Sequence, residues 1–533
     1  MATQLLGTPG SRAARLLHRL AGHPLLILTL VAAIPRFARL GAAPADLDET
    51  WSWYTLHLIR SGRGFWRVLT VGLDGPLFVA GNLGVAAVVG GDPPLVALRL
   101  LSAITGTLAI PVTFALARRL WGGRAAVVVT CLCALSPFLV FYSRHARPYS
   151  LLLLCCLLHA RVAEAPELRR RRVWLAATAV LVMASHYYGI VFLAGFHGLR
   201  WLAYVLARRP ADRRRELKDG LTSLASAAPF VALLVHALAS LSLPHWSLYP
   251  LDLPAVWAEQ LLFLGSTVGD APHSAALLNR AIALLLLVPF ATASWRSRQA
   301  LLDRPLLLLG LALPLLVVLG GAIVGQHWLF FPRGFIGGTP FLLAGWGLLT
   351  LDLPVRPAVR NAYAALILVP FLASSIAVAT SYPGHAFYRN RRVIAEIVEQ
   401  ATRIRDRYDV LLVHHWWLAQ YVAFYHPDPD CVRGLGMWRR AEAARDGELT
   451  AVLQDLASVP PTARVLLLRN NLINVYGDPG DAVLEALRAR RPQLAVFPCR
   501  EEPPVADESM LCNGLFLFGP EYDRAQQPAG GLQ

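Results

Sequence analysis

Long apolar runs separated by short arginine clusters set the frame of this 533-residue chain. Runs that fit membrane spans lie at about 25–40, 95–117, 124–142, 147–163, 173–186, 189–206, 220–240, 279–294, 305–325, 335–351 and 361–381. A helix needs roughly 20 apolar residues to cross a bilayer, and most of these runs approach that length. One further run, Pro76 to Gly90, contains three glycines, Asn82 and Pro76; its shortness predicts a re-entrant or interfacial segment. Residues 41–94 therefore read as one long loop lying back on the membrane.

The polar gaps between runs give the orientation. Arg118-Arg119, Arg169 to Arg172, Arg208-Arg209, Arg213 to Arg215, and Arg296 with Arg298 fall on alternate loops, as cytoplasmic loops do. Arg12, Arg15 and Arg19 place the N-terminus inside. The first run lacks a small-residue cleavage site, so it is expected to remain as a span. About eleven crossings then put the C-terminus outside.

After Tyr382 the pattern changes. A charged helical pattern covers Arg391 to Arg407, with Ile394, Ile397, Val398 and Ile404 on one face. Short aliphatic runs at 410–413, 465–468, 494–497 and 515–518 read as strands. Helix alternating with strand predicts a small α/β domain. The expected fold is thus an α-helical polytopic membrane protein with about eleven transmembrane helices and a small C-terminal extracytoplasmic α/β domain. Its parts are residues 1–383 in the membrane, 384–523 outside, and a disordered tail at 524–533. The expected location is the plasma (inner) membrane.

Composition agrees with this picture. Hydrophobic residues make up 56% and charged residues 16% of the chain, with a mean hydropathy of +0.48, which excludes an ordinary soluble protein. The net charge of +16 sits in the loop clusters, so it marks topology rather than a nucleic-acid footprint. Cys131, Cys133, Cys155 and Cys156 lie in apolar runs as small buried hydrophobes. Cys431, Cys499 and Cys512 lie in the polar C-terminal part, where an outer location would let Cys499 and Cys512 form a disulfide.

Candidate chemistry collects on the outer loops. Asp46, Asp48 and Glu49 directly follow the first run, trailed by Trp51, Trp53 and Tyr54, with Asp74 at the end of the same loop. Arg144, His145, Arg147 and Tyr149 lie between two later runs, His186 and Tyr187 between another two, and His327 and Arg333 near residue 330; Arg99 sits at the outer end of its run. Buried carboxylates can take a proton from a hydroxyl. Asp48 and Glu49 are adjacent, so they diverge on a helix or a strand and divide roles. Asp48 also suits the N-cap of a helix beginning at Glu49 or Thr50, and the three aromatics suit an interfacial belt. Arg144 and Arg147 are three apart at a helix start and suit a phosphate on which charge develops; lipid headgroups and helix caps are the competing uses. His186 and His327 have no His-x-x-x-His or Cys-x-x-Cys company that would mark a metal site. No cofactor is called for, and a divalent cation is left open. No phosphate-binding glycine motif is present.

Three stretches carry a family resemblance. They are Asp46-Leu47-Asp48-Glu49, then Leu98-Arg99-Leu100-Leu101-Ser102 through Ala117-Arg118-Arg119-Leu120-Trp121-Gly122, and Ser136-Pro137-Phe138 through Tyr142-Ser143-Arg144-His145-Ala146-Arg147-Pro148-Tyr149. His186-Tyr187-Tyr188-Gly189 and Pro332-Arg333-Gly334-Phe335 are weaker landmarks. Over about residues 20–380 the chain resembles bacterial integral-membrane glycosyltransferases of the GT-C type, similar to protein O-mannosyltransferases and aminoarabinose transferases. The resemblance implies a polyprenyl-phosphate-linked sugar donor, an inverting direct displacement and a lipid, glycan or protein acceptor, with membrane lipids around it and no nucleic acid. Asp48 would be the base, supported by Glu49. Arg144, His145, Arg147 and Arg333 would bind the donor phosphate. Trp51, Asp74, Arg99, Tyr149, His186, Tyr187 and His327 would contact substrate. The chain departs from the family at Asp74-Gly75-Pro76-Leu77-Phe78, where a His-Pro-Pro-Leu-Tyr-like stretch is common. Two other classes compete: a transporter or flippase of lipid-linked glycans, and a non-catalytic scaffold whose outer domain binds cell-wall components.

Overall fold

In the computed structural model, the described residues are 23–45, 47–62, 64–66, 75–90, 93–240, 253–262, 273–296, 298–324, 332–380, 398–413, 416–434, 456–470, 482–497 and 512–520. Contacts divide the chain into two units. The first comprises residues 1–42, 74–232 and 247–385, and the second 43–73, 233–246 and 386–533. Cys499 of the expected Cys499–Cys512 pair lies outside the described residues.

The chain's helices begin with α1 (Pro24–Phe37), α2 (Leu47–Arg60), α3 (Pro76–Val89), α4 (Leu95–Trp121), α5 (Gly123–Leu135) and α6 (Pro137–Ser143). Then come α7 (Tyr149–Ala163), α8 (Arg171–Ser185), α9 (Gly189–Leu206), α10 (Pro210–Ser240), α11 (Leu253–Leu262) and α12 (His273–Arg296). They are followed by α13 (Arg298–Asp303), α14 (Leu309–Val324), α15 (Thr339–Leu351) and α16 (Pro357–Ala379). Among the described residues, four helical segments are long and apolar enough to cross a membrane: Leu95–Trp121, Gly189–Leu206, Arg333–Leu351 and Pro357–Ala379. The expected single run at 124–142 is instead two helices, α5 and α6, bent by 57°. Several other apolar runs form shorter helices, such as the 14 residues of α1 and the 15 of α7.

The bend has a local cause and a remote remedy. Pro137 has no N–H to give the carbonyl of Cys133, so α5 stops there. Ser136 restarts the chain by accepting from the Leu139 N–H at 3.3 Å. The stranded carbonyls at the end of α5 are met from α1, where Arg36 is fully buried. Its guanidinium donates to Ala134 O at 2.9 Å, Cys133 O at 3.3 Å, Ala32 O at 2.8 Å and the Ser143 hydroxyl at 3.2 Å. The Ser375 hydroxyl of α16 donates to Leu135 O. Gly122, at φ 88°, makes the tight reversal from α4 into α5 that a side chain would resist. α15 is buried over Thr339–Thr350 and forms the centre of this unit.

A second buried polar system joins α7 to α10. His159 bonds Thr178 at 3.0 Å through Nδ1 and His197 at 3.0 Å through Nε2. His197 Nδ1 meets Glu216 Oε1 at 2.6 Å, and Arg200 Nε donates to Glu216 Oε2 at 2.8 Å. Arg200 also pairs with Glu164. Arg171 grips Asp219 with two bonds of 2.8 and 2.7 Å. Apolar surroundings make each such bond an interhelical tie.

The second unit contains a five-stranded sheet ordered β2-β1-β3-β5-β4, made of β1 (Val410–Val413), β2 (Val432–Gly434), β3 (Val465–Asn470), β4 (Gln493–Phe497) and β5 (Cys512–Phe518). β2, β1 and β3 run parallel, and β5 is antiparallel to β3 and β4. All four runs read as strands from the sequence are strands; three-residue β2 was not foreseen. Alternation sends side chains to opposite faces. Leu411, Val413, Leu466, Leu468, Leu515 and Leu517 line one buried layer, and Val410, Leu412, Val465, Leu467, Phe516 and Phe518 the other. Helices α17 (Trp416–Tyr425) and α18 (Ala482–Arg490) supply cover. Residues 398–403, within the charged pattern, are helical.

His426 is the pH-sensitive point of this unit. It sits 2.7 Å from the Tyr408 hydroxyl, its Nδ1 lies 2.8 Å from Asp428 O and 3.1 Å from Asp428 N, and Cys431 Sγ is 3.6 Å away. Burial lowers its pKa below the usual 6.5, Arg405 lowers it further, and the Asp428 backbone bond and carboxylate oppose that shift. A depressed folded pKa gives a contribution that is present above pH 6.5 and lost as pH falls. The melting temperature of the full chain is therefore expected to drop more between pH 7.5 and 5 than that of His426→Gln. Equal drops would remove this assignment.

Candidate active site

In the first unit, three loops bring cations and rings together. Ser143 ends α6, and Arg144 to Pro148 lead into α7 at Tyr149. His186 closes α8 in an extended conformation, φ −168° and ψ 147°. A 3-10 turn, Pro332–Gly338, carries Arg333. Gln260 of α11 anchors that turn by donating to Phe335 O at 3.1 Å and to the Thr339 hydroxyl at 3.2 Å.

Tyr149 is the ring on which these loops meet. The Arg333 guanidinium carbon lies 5.8 Å from its centroid, a cation–π distance. His186 lies 5.4 Å away and Tyr142 5.0 Å. His186 in turn stacks on Tyr188 at 5.3 Å and touches Tyr187 at 4.2 Å. The positive charges of Arg147 and Arg333 both act on His186 and Tyr187, and that of Arg333 acts on Tyr188 as well. A Cβ at Gly334 would fall 2.5 Å from the Tyr188 ring, so glycine is what lets the Arg333 turn approach. Arg147 is buried, and its carbonyl accepts from the Ser102 hydroxyl at 3.0 Å. Two guanidinium groups beside a wall of rings can hold an oxyanion with forked, charge-assisted bonds.

Other expected site residues have different surroundings. Arg144 is turned onto the end of α1, where it donates to Pro35 O at 2.7 Å, Ala38 O at 2.6 Å and Arg39 O at 3.3 Å. Arg99 donates to Leu40 O at 2.8 Å. Both meet carbonyls at or just past a helix end. His145 is buried against Phe141 and Tyr142, with centroids 5.2 and 6.0 Å away. Asp74 and His327 lie outside the described residues.

The acidic stretch belongs to the second unit. α2 begins at Leu47, so Asp48 and Glu49 occupy its first turn rather than a cap before Glu49 or Thr50. Carboxylates there complement the helix dipole. Asp48 is partly exposed and Glu49 fully buried, which separates the two chemically. Trp51 is buried, 6.3 Å from Tyr54 between centroids. Trp53 stacks on His57 at 5.2 Å and meets Phe424 of α17 edge-on at 5.5 Å. Among the described residues no group of three or more His, Cys, Asp or Glu is arranged for a metal ion. Sequence reasoning missed Arg36 and Gln260. Arg36 carries a signal, a charge inside an apolar run; a lone glutamine such as Gln260 carries none.

Comparison with known proteins follows from this architecture. Residues 74–238 match the family model described as dolichyl-phosphate-mannose-protein mannosyltransferase. That span includes Arg99, Arg144, Arg147, Tyr149, His186 and Tyr187, and excludes the acidic stretch. Among solved structures, ArnT from Cupriavidus metallidurans bound to undecaprenyl phosphate is similar at 13% identity and a TM-score of 0.56, with 93% of this chain and 97% of that one covered. The same protein in the apo state aligns at 14% and 0.56, over 93% of this chain and 96% of that one. Archaeal oligosaccharyltransferase AglB from Archaeoglobus fulgidus, in complex with an inhibitory peptide and a dolichol-phosphate, aligns at 14% and 0.50, over 96% of this chain and 75% of that one. No curated protein sequence matches. The chain shares the membrane fold of ArnT, the GT-C fold that the sequence resemblance led one to expect. It is an integral membrane protein.

Proposed function

We propose that the protein is a glycosyltransferase that moves a hexose or pentose from a polyprenyl-phosphate carrier to an acceptor hydroxyl on the extracytoplasmic face of the plasma membrane, inverting the anomeric centre. The observation that carries this reading is the convergence of Arg147, Arg333, His186 and Tyr149 from three loops. In the displacement, the acceptor oxygen bonds to the anomeric carbon as the bond to the carrier phosphate breaks. Asp48 takes the acceptor proton, and Glu49 supports it. The phosphate leaves with the electron pair, and Arg147 and Arg333 stabilise the charge that grows on it. Arg144 and His145 complete the phosphate side, Arg144 by fixing the carbonyls that end α1. In this reading Tyr149, His186, Tyr187, Trp51, Arg99, Asp74 and His327 are the residues that contact the sugar or the lipid. The acceptor is a lipid, glycan or protein. In this reading the arginine clusters and the N-terminus are cytoplasmic, and residues 384–523 lie outside.

The test is transfer by the purified protein in lipid, supplied with radiolabelled polyprenyl-phosphate sugars and a membrane extract. Label should move from at least one donor. Arg147→Ala should lower kcat/KM for that donor by roughly 10²–10³-fold. Absence of transfer from every donor, or an Arg147→Ala enzyme as active as the wild type, would overturn the proposal.

A further inference from the structure

The helix that carries Asp48 and Glu49 is held at both ends by the C-terminal part of the chain. Ala45, just before α2, is fully buried. Its N–H donates to the Tyr425 hydroxyl at 2.8 Å, and its carbonyl accepts from the Tyr421 hydroxyl at 2.8 Å. The two tyrosines are four apart on α17 and so present one face; their rings meet edge-on at 5.3 Å. One residue thus has both backbone polar groups captured by two phenols, from 376 and 380 positions further along the chain. At the other end of α2, Trp53 rests against Phe424, and His57 Nε2 lies 3.3 Å from Asp430 Oδ1.

Such a clamp is more than general adhesion. Buried backbone groups need partners, and here the partners are side chains whose rings are themselves fixed in the core. Ala45 is three residues before Asp48. Fixing its backbone removes the rotations through which the first turn of α2 could swing.

We propose that Tyr421 and Tyr425 are positioning residues for Asp48, and that holding this carboxylate is a function of the C-terminal domain. The proposal rests on the reading of Asp48 as the base. The phenols touch no substrate. They hold the carboxylate where its oxygen can accept a proton, and a misplacement of about 1 Å costs on the order of 10²-fold in rate.

The experiment uses the full chain in lipid, with Tyr421→Phe, Tyr425→Phe and the double variant, each of which keeps the ring and deletes one or both hydroxyls. The double variant is expected to lose about 100-fold in kcat, with donor KM within about twofold of wild type. Amide exchange at residues 45–50 should accelerate, and donor affinity should be kept although the melting temperature falls by several degrees as the buried Ala45 groups lose their partners. Wild-type kcat in the double variant would overturn the proposal. So would a fall in melting temperature matched by equal losses in kcat and donor affinity, because the tyrosines would then serve only stability. The exchange measurement stands apart from the chemistry. If Asp48→Asn retains activity, the assignment of the base fails, while faster exchange at 45–50 in the double variant still establishes the clamp.

Discussion

Asp48→Asn is expected to lower sugar transfer by about 10²–10⁴-fold, the range a positioned general base supplies. The substitution keeps the shape of the side chain and deletes its ability to take a proton. It also removes a negative charge from the first turn of α2, which costs about 0.3–1 kcal/mol of helix stability. That loss is too small to unfold the second unit, so melting should change by only a few degrees while transfer collapses. Glu49→Gln should behave differently. Glu49 is fully buried, and exchanging a buried carboxyl for an amide disturbs its own hydrogen-bonded surroundings first. A variant at 49 that fails through stability, beside one at 48 that fails through chemistry, is the expected contrast. If Asp48→Asn transfers as well as wild type, the division of labour between the two acids is wrong.

The second large effect belongs to the buried polar system of the first unit. Arg200→Met is expected to destabilise the protein by about 3–5 kcal/mol, because it leaves the carboxylates of Glu216 and Glu164 without their shared cation in an apolar environment. Glu216→Leu should do comparable damage, since it strips an acceptor from Arg200 Nε and from His197 Nδ1. The double variant is expected to be less damaged than the sum of the singles, because the removed groups were each other's penalty. Thermal unfolding of the four proteins in one detergent measures this directly. Additive losses would mean that the charges act independently and that the network is not a unit.

How much of this was legible beforehand depends on what each feature is made of. The sheet was readable because a buried strand needs a short continuous aliphatic run, and residues 410–413 and 515–518 are such runs. The meeting of Arg147, Tyr149, His186 and Arg333 was foreseeable as a set, since polar residues on outer loops stand out against apolar runs. Where their side chains point was not foreseeable. Arg144 and Arg147 look alike in the sequence, yet Arg144 is spent on the carbonyls that end α1. Carbonyls stranded at a helix end carry no mark in the sequence. The same limit hid the His159–His197–Glu216–Arg200 system, whose members are spread over three helices and are unremarkable one by one. Pro137 did announce a break, but the apolar run at 124–142 continues through it and masked the 57° bend. The start of α2 was missed by two or three residues, which moved Asp48 from a cap into the first turn.

The tie between Ala45 and α17 also bears on when the protein can become active during its own synthesis. The acidic helix emerges early, but Tyr425 follows Ala45 by 380 residues. At translation rates of 5–20 residues per second, roughly 20–80 s separate the two. Throughout that interval α2 lacks the surface that seats Trp53 and the hydroxyls that hold Ala45. A nascent chain therefore carries α2 unclamped while its spans enter the membrane, until the C-terminal part that holds Ala45 has been made.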